Sequence, residues 1–167
     1  WRDWSSDVCS SDLFYHQTEE KIPFDLEFFN KITKGGLPNK TLNIALAGTG
    51  VGKSLFMCHF AASSLIANRN VLYITMEMAE ERIAERIDSN LLNVNIQEIE
   101  KLPKSMFENK VTNLAKKTQG TLIIKEYPTA SAHSGHFKSL LNELALKKSF
   151  KPDIIFIDYL NICASSR

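Results

Sequence analysis

The feature that most constrains this chain is a glycine-rich turn at residues 47–54, which reads Ala-Gly-Thr-Gly-Val-Gly-Lys-Ser. An apolar run at residues 42–46 precedes the turn and predicts a buried strand. The apolar residues that follow, from Leu55 onward, predict a core helix. A strand, a tight glycine turn and a helix that opens with Gly-Lys-Ser form an arrangement suited to nucleotide phosphates. The sequence therefore predicts a phosphate-binding P-loop.

The residue types of this loop explain the prediction. Glycines let the backbone curl so that successive N–H groups point at phosphate oxygens, and the helix N-terminus adds partial positive charge. Lys53 can reach the β- and γ-phosphates, and the Ser54 hydroxyl can bind Mg²⁺. Ala47 departs from the full motif, because a glycine is expected there; a chance Gly-Lys-Ser on a surface turn is the alternative. The predicted nucleotide contacts are Thr49, Gly50, Val51, Gly52, Lys53, Ser54 and Leu55.

The composition is that of an ordinary globular protein that can bury a core. The chain has 167 residues, of which 44% are hydrophobic and 23% charged, and a net charge of +1. This charge is not that of a strongly basic nucleic-acid binder, so such a partner would have to be held locally. No apolar stretch is long enough to span a membrane. The cysteines at positions 9, 58 and 163 have no metal-ligand spacing and form no disulfide framework, which favours a reducing cytoplasm.

The chain divides by sequence into three segments. Residues 1–13 lack hydrophobic periodicity and resemble a translated sequencing adapter, so we exclude them from fold reasoning; the alternative is a genuine disordered leader. Residues 14–21 are polar and are interpreted as a linker remnant. Residues 22–167 form the predicted domain.

Apolar strands alternate with amphipathic helices along this domain. This alternation predicts a mainly parallel sheet with helices on both faces, which is an α/β P-loop fold. The predicted strands after the P-loop are 71–76, 121–125 and 154–157, and the predicted helices are 26–32, 53–67, 79–92, 106–115 and 137–148.

Two acidic residues follow predicted strands. Asp158 ends residues 154–157 in the manner of a Walker B segment, whose carboxylate binds Mg²⁺, often through water. Glu77 follows residues 71–76, and a carboxylate there can accept a proton from the water that attacks the γ-phosphate. Since parallel strands end at one edge of a sheet, both acids are expected near the P-loop. Taken alone, Asp158 is a common way to end a strand, and Glu77 can equally cap the following helix.

Three segments together carry a family resemblance: residues 47–54, Tyr-Ile-Thr-Met-Glu-Met at 73–78 and Ile-Phe-Ile-Asp-Tyr-Leu at 155–160. They resemble the DnaB-like, RecA-type replicative DNA helicases, most closely the branch found in T4-like tailed phages. The replaced glycine at Ala47 fits that family, as does Arg86 nine residues beyond Glu77. Asn161 and Cys163 differ from the cellular pattern.

The resemblance implies a fold and an activity. It implies a RecA-like core that is truncated at the C-terminus, with ATP and Mg²⁺ as cofactors, Ser54 and Asp158 as metal ligands, and Lys53 and Glu77 as catalytic residues. It further implies a hexameric ring that moves on single-stranded DNA and unwinds duplex, works with a primase and a helicase loader, and lies in the cytoplasm of a host cell. Two alternatives stay open: a RecA- or clock-type ATPase, and a nucleotide-sensing module without DNA-coupled turnover.

Other reactive residues have ordinary structural interpretations. His133 and His136 are expected to be surface histidines rather than metal ligands, since no cysteine or acidic residue lies near them in the sequence. Cys58 and Cys163 are expected to be core thiols. Arg82 and Arg86 lie on an acidic helix, which predicts pairing with the acids of that helix, namely Glu81, Glu85 or Asp88.

Overall fold

A computed structural model describes residues 20–99, 101 and 103–164. The described residues divide into two compact units, with the boundary between residues 44 and 45. The predicted adapter-derived segment at residues 1–13, and all but the last two residues of the predicted linker, lie outside the described residues. The segmentation made from sequence therefore stays a prediction.

The first unit is a small hairpin-like element. Strand β1 (Lys21–Ile22) pairs antiparallel with β2 (Leu37–Pro38), and helix α1 (Glu27–Ile32) lies between them in sequence. The Asn30 side chain accepts a hydrogen bond from the Phe24 N–H at 2.8 Å and donates to the Phe24 carbonyl, which fixes the turn into α1. The short helix predicted at residues 26–32 is confirmed.

The second unit alternates helices and strands. In chain order its elements are α2 (Lys53–Ile66), β3 (Val71–Thr75), α3 (Glu80–Leu92), α4 (Ile96–Ile99), α5 (Lys104–Lys117), β4 (Leu122–Glu126), α6 (Ser134–Lys148), β5 (Ile154–Asp158) and a 3-10 turn (Leu160–Ile162). The strands and helices predicted from residue 53 onward are confirmed, with ends that shift by a few residues.

The strands of this unit form a parallel, three-stranded sheet in the order β4-β3-β5. Strand β3 is central, and every residue in it is buried. Thr75, at its end, is level with Glu126 of β4 and Asp158 of β5. The carboxyl ends of all three strands therefore meet at one edge, as a parallel sheet requires.

Helices cover both faces of the sheet. On one face, Leu72 and Ile74 of β3 pack with Leu140 and Leu144 of α6 in the main apolar cluster. Alternate residues of a strand point to opposite faces, and on the other face Tyr73 stacks on Phe156 of β5. The Phe60 ring of α2 packs edge-on against Phe156, with the centroids 5.7 Å apart. This two-sided covering confirms the predicted α/β fold.

The prediction of a strand at residues 42–46 is wrong. The segment has no regular secondary structure, and its apolar side chains are exposed, Leu42 to 84%, Ile44 to 76% and Leu46 to 95%. An apolar run becomes a strand only when a neighbouring strand bonds to its backbone N–H and carbonyl groups. Within the described part of the chain, no strand pairs with this segment.

No helix among the described residues is long and apolar enough to cross a membrane.

Candidate nucleotide-binding site

The glycine-rich turn has the backbone that a phosphate-binding loop needs. Gly50 and Gly52 have φ angles of 77° and 102°, in the left-handed region that glycine adopts readily. Helix α2 begins at Lys53 with Gly52 at its N-cap, and among the described residues no side chain caps this end. The first N–H groups of α2 therefore remain without a capping acceptor, which suits a phosphate oxygen.

Lys53 lies beside the end of strand β5. Its ammonium group is 4.2 Å from the centroid of the Tyr159 ring, and Tyr159 directly follows Asp158. A cation over an aromatic ring is held electrostatically by the ring face. The fold therefore brings Lys53, at the start of α2, against the residue that directly follows Asp158.

A chain of hydrogen bonds joins α2 to Asp158 through the central strand. The Cys58 thiol donates to the Tyr73 hydroxyl, with sulfur and oxygen 3.8 Å apart, and the Tyr73 hydroxyl donates to Asp158 Oδ2 at 3.1 Å. Ser54 lies one helical turn before Cys58, and residues at this spacing share a helix face. Ser54 is therefore on the side of α2 that faces Tyr73 and Asp158.

Asp158 is a buried acid whose second oxygen lacks a protein partner. The residue is 0% exposed, and within the described residues Oδ1 has neither a hydrogen bond nor an ion pair. A buried carboxylate in a folded protein is normally paired or coordinates a cation. The oxygen donors of Asp158 and Ser54 are the kind that Mg²⁺ prefers, so these residues fit a magnesium ion.

Glu77 occupies the same edge of the sheet but is exposed. It lies on a turn that Thr75 shapes, because the Thr75 hydroxyl donates to the Met78 carbonyl at 2.8 Å and accepts from the Met78 N–H at 3.2 Å. The Met76 N–H donates to the Asp158 carbonyl at 2.9 Å, which anchors the start of this turn to β5. Glu77 is thus held near Asp158 while its side chain remains accessible to water.

Sequence reasoning missed Tyr73 and Thr75 as parts of the site. A hint existed for both, since a hydroxyl inside an apolar strand needs a hydrogen-bond partner when it is buried. Both residues are 0% exposed, and both lie in the strand that precedes Glu77. The hydrogen-bond partner of each hydroxyl could not be predicted from the sequence.

Burial keeps the two linking groups neutral. Desolvation raises the pKa of Tyr73 far above its usual value, with further increases from nearby Cys58 and Asp158. Desolvation also raises the pKa of the Cys58 thiol, against opposing effects of its bond to Tyr73 and of the Arg86 charge. Both groups therefore stay protonated and act as donors at neutral pH.

The comparisons with known proteins agree with this geometry. Residues 22–167 match the family described as DnaB-like helicase C terminal domain. The chain belongs to this family. It is 48% identical over 168 aligned residues to a "DnaB-like replicative helicase" of Enterobacteria phage T4, an alignment that covers 99% of this chain and 35% of the phage protein. It is also 37% identical over 82 residues to "DNA repair protein RadA" of Rickettsia conorii, covering 48% of this chain and 18% of that protein.

Membership of the DnaB-like family makes the fold a RecA-like core, as predicted from the resemblance. The chain spans 35% and 18% of the lengths of the two relatives that it matches. The activity of a whole helicase is therefore a matter for proposal.

Of the remaining predictions on this DnaB-like chain, the ion pair predicted for Arg82 and the surface position predicted for the two histidines can be compared with the structure, whereas no ion pair of Arg86 is found among the described residues. Arg82 pairs with Glu85 on α3 at 3.0 Å, as predicted, in an exposed ion pair. The His133 ring caps α6 by accepting from the Gly135 N–H at 3.0 Å, and the His136 ring accepts from the His133 N–H at 3.3 Å. These histidines therefore have a structural role at the helix start.

The cysteine prediction for this DnaB-like chain holds fully for one of the two described thiols. Cys58 is buried, whereas Cys163 is half-buried, with its sulfur 3.5 Å from the sulfur of Met76.

Proposed function

We propose that this chain is the ATP-binding and ATP-hydrolysing segment of a replicative DNA helicase. The observation that carries the proposal is that Lys53 lies beside the end of β5, where one oxygen of the buried Asp158 has no partner among the residues that the structure describes. Membership of the DnaB-like family supports the same reading.

In this proposal the loop from Thr49 to Ser54, together with Leu55, binds the nucleotide. Backbone N–H groups of the loop and of the start of α2 hold the phosphate oxygens, and Lys53 stabilises their negative charge. Ser54 and Asp158 hold Mg²⁺. When bound, the ion neutralises negative charge on the phosphates and so makes the γ-phosphate easier to attack.

Glu77 is the proposed general base. Its exposed carboxylate can contact a water molecule and accept a proton from it as that water attacks the γ-phosphate. The turn held by Thr75 keeps Glu77 at the edge where β3 and β5 end. A general base must be near the reacting water, and this placement supports the assignment.

The proposed role extends to the partners of a replicative helicase. ATP hydrolysis would drive movement along single-stranded DNA within a hexameric ring of identical subunits, in the cytoplasm of the host cell. A primase and a helicase loader are the expected protein partners. The similarity to a protein named as a DnaB-like replicative helicase supports this assignment.

The similarity to DNA repair protein RadA supports a second candidate, a RecA-type ATPase that couples the same chemistry to DNA repair. Both candidates predict stimulation of ATP hydrolysis by single-stranded DNA. They differ in strand separation, which only the helicase catalyses on a forked duplex.

The first test compares ATP hydrolysis with and without single-stranded DNA in the wild type, Lys53→Ala and Glu77→Gln. We expect Glu77→Gln to lower the rate by at least about 100-fold while nucleotide binding persists, because a lost general base typically costs 10²–10⁴-fold. Lys53→Ala should weaken both nucleotide binding and hydrolysis. The matched controls are Lys104→Ala and Glu108→Gln, which change an exposed pair on α5 and should leave the rate unaltered.

Two outcomes would contradict the proposal. Nucleotide binding without turnover, unaffected by DNA and by Glu77→Gln, would favour a nucleotide-sensing module. DNA-stimulated hydrolysis without unwinding of a forked duplex would favour the RecA-type alternative.

A further inference from the structure

Tyr73 is fixed in place by the core around it. Its ring stacks on Phe156 of the neighbouring strand with centroids 5.7 Å apart and an angle of 21° between the planes. Tyr73 and Phe156 are partners in the β3–β5 register, so the hydroxyl reaches along β5 toward Asp158 on the same face. Because the residue is 0% exposed, the ring cannot swing away without disturbing the core.

The hydroxyl is not needed for this packing. A phenylalanine ring would fill the same space, and a buried hydroxyl costs free energy unless it is hydrogen-bonded. Its two partners are Cys58 on α2 and Asp158 on β5. The hydroxyl therefore connects the helix that follows the P-loop to the Walker B acid.

The direction of these bonds follows from the donors available. The Tyr73 hydroxyl donates its single proton to Asp158 Oδ2, since a carboxylate oxygen accepts hydrogen bonds. The hydroxyl oxygen then accepts from the Cys58 thiol. Tyr73 thus occupies one oxygen of Asp158 and leaves Oδ1 as the oxygen without a partner among the described residues.

We propose that Tyr73 is a positioning residue that orients Asp158 for magnesium by holding Oδ2 and presenting Oδ1 to the ion. The inference rests on the proposed function, in which Asp158 binds Mg²⁺. Carboxylates that bind metals are commonly hydrogen-bonded through a neighbouring group, and loss of such a group typically costs 10–100-fold in metal affinity. Tyr73 would act through Asp158 without contacting the nucleotide.

The test measures binding of a fluorescent ATP analogue as a function of free Mg²⁺, and again in EDTA, for wild type and Tyr73→Phe. In EDTA, the affinity of the variant should stay within about twofold of wild type, because the phosphate loop is unchanged. The Mg²⁺ concentration at half-maximal enhancement of binding should rise about 10-fold or more. Tyr127→Phe is the matched control, because it removes a hydroxyl from a ring that packs against Phe137. It should leave the midpoint, that is, the Mg²⁺ concentration at half-maximal enhancement of binding, unchanged.

A second measurement follows the metal itself. Mn²⁺ replaces Mg²⁺, and electron paramagnetic resonance counts the ions bound in the presence of nucleotide. Tyr73→Phe should require about 10-fold more Mn²⁺ for the same occupancy. If the single variant does not fold, Cys58→Ala combined with Tyr73→Phe removes the thiol left without an acceptor, and the same increase is expected.

The outcomes separate this inference from the proposed function. A wild-type protein that binds no nucleotide would overturn both. A wild-type protein that binds nucleotide with Mg²⁺, beside a Tyr73→Phe variant of unchanged midpoint, would overturn the role of Tyr73 alone. A variant equally weakened in EDTA and in Mg²⁺ would also overturn it, since the hydroxyl would then serve general packing.

Discussion

The ends of strands β3 and β5 lie side by side yet hold their acids in different ways. Asp158, the last residue of β5, is 0% exposed and hydrogen-bonded to Tyr73, whereas Glu77, just beyond the end of β3, is exposed. A metal ligand gains from a fixed oxygen shielded from water, and a general base must meet the water it activates. The contrast shows how one sheet edge can supply both environments.

The cause of the contrast is the position of each acid relative to the sheet. Asp158 is still within the ladder, level with Thr75, so its side chain lies on the face covered by α2. Glu77 comes after the ladder has ended, on the turn shaped by the Thr75 hydroxyl. A shift of two positions past the strand end therefore moves a carboxylate from the core to the surface.

The two acids should differ most when each is neutralised in turn and the stabilisation by Mg²⁺ and ATP is measured. At 100 times the dissociation constant, ligand should stabilise the wild type by about 2.7 kcal/mol. Glu77→Gln should retain this gain, because the proposed ligands of the ion are Ser54 and Asp158 and not Glu77. Asp158→Asn should lower metal-dependent affinity at least about 10-fold, which leaves about 1.4 kcal/mol or less at the same concentration.

Thermal unfolding with and without Mg²⁺ and ATP provides the measurement. The Asp158→Asn variant should also be at least as stable as wild type without ligand, since it removes a buried charge that lacks an ionic partner among the described residues. Equal ligand-induced stabilisation of both variants would mean that Asp158 does not bind the metal.

Much of this edge could be predicted from the sequence, because its signals are local. The strand Ile154–Asp158 was predicted to within one residue at its end, because four apolar residues followed by an acid are typical of a buried strand that ends at the sheet edge. The helix beginning at Lys53 was equally clear, because a glycine turn precedes a wide apolar stripe. Patterns that depend on the residue types within one element are readable without a structure.

The failed strand at residues 42–46 had an equally apolar pattern. Its side chains are exposed, and no strand among the described residues pairs with it. An apolar composition indicates that a segment gains free energy when it is buried. Strand formation also needs a neighbouring strand whose backbone can hydrogen-bond to it. Composition alone could not separate this run from Val71–Thr75, which is fully buried.

The links between elements were also beyond the sequence. Tyr73 and Asp158 are far apart in the chain, and only the register of β3 against β5 brings them together. The sequence placed Glu77 and Asp158 at one edge through a general rule of parallel sheets. It could not reveal that Asp158 is hydrogen-bonded to the Tyr73 hydroxyl whereas Glu77 is exposed at the surface.

A smaller effect should come from loosening the turn that carries Glu77. Thr75→Val keeps the shape of the buried side chain but removes the hydroxyl that bonds the Met78 carbonyl and N–H. We expect a loss of stability of about 1 kcal/mol, typical of a lost hydrogen bond. ATP hydrolysis should fall about 10-fold with nearly unchanged nucleotide binding, because a misplaced base slows chemistry more than binding.

The control for this turn is Thr112→Val on α5, where an exposed threonine hydroxyl also donates to a backbone carbonyl, that of Glu108, at 2.7 Å. Urea unfolding and steady-state hydrolysis measure the two effects. An unchanged rate in Thr75→Val would mean that the turn does not position Glu77.

The smallest expected effect is on the pH dependence of stability, through the buried Cys58 thiol. Burial raises the pKa of Cys58, so the folded protein keeps the proton at pH values where the unfolded thiol, with a pKa of about 8.5, loses it. The unfolded state then binds fewer protons than the folded state, and stability falls as pH rises from about 8.5 toward the folded pKa. The decline has an upper limit of about 1.4 kcal/mol per pH unit for this group.

Cys58→Ala should remove this part of the decline. Urea unfolding of wild type and variant at pH 8 and pH 9.5 makes the comparison, because tyrosines, which have a usual pKa of about 10, are present in equal number in both proteins. The variant also loses packing at every pH, so the difference in slope carries the result and the absolute stability does not. If the unfolding free energy falls equally steeply with pH in the two proteins, the thiol ionises as easily in the folded core as in water. That result would contradict the assignment of Cys58 as a neutral donor to Tyr73.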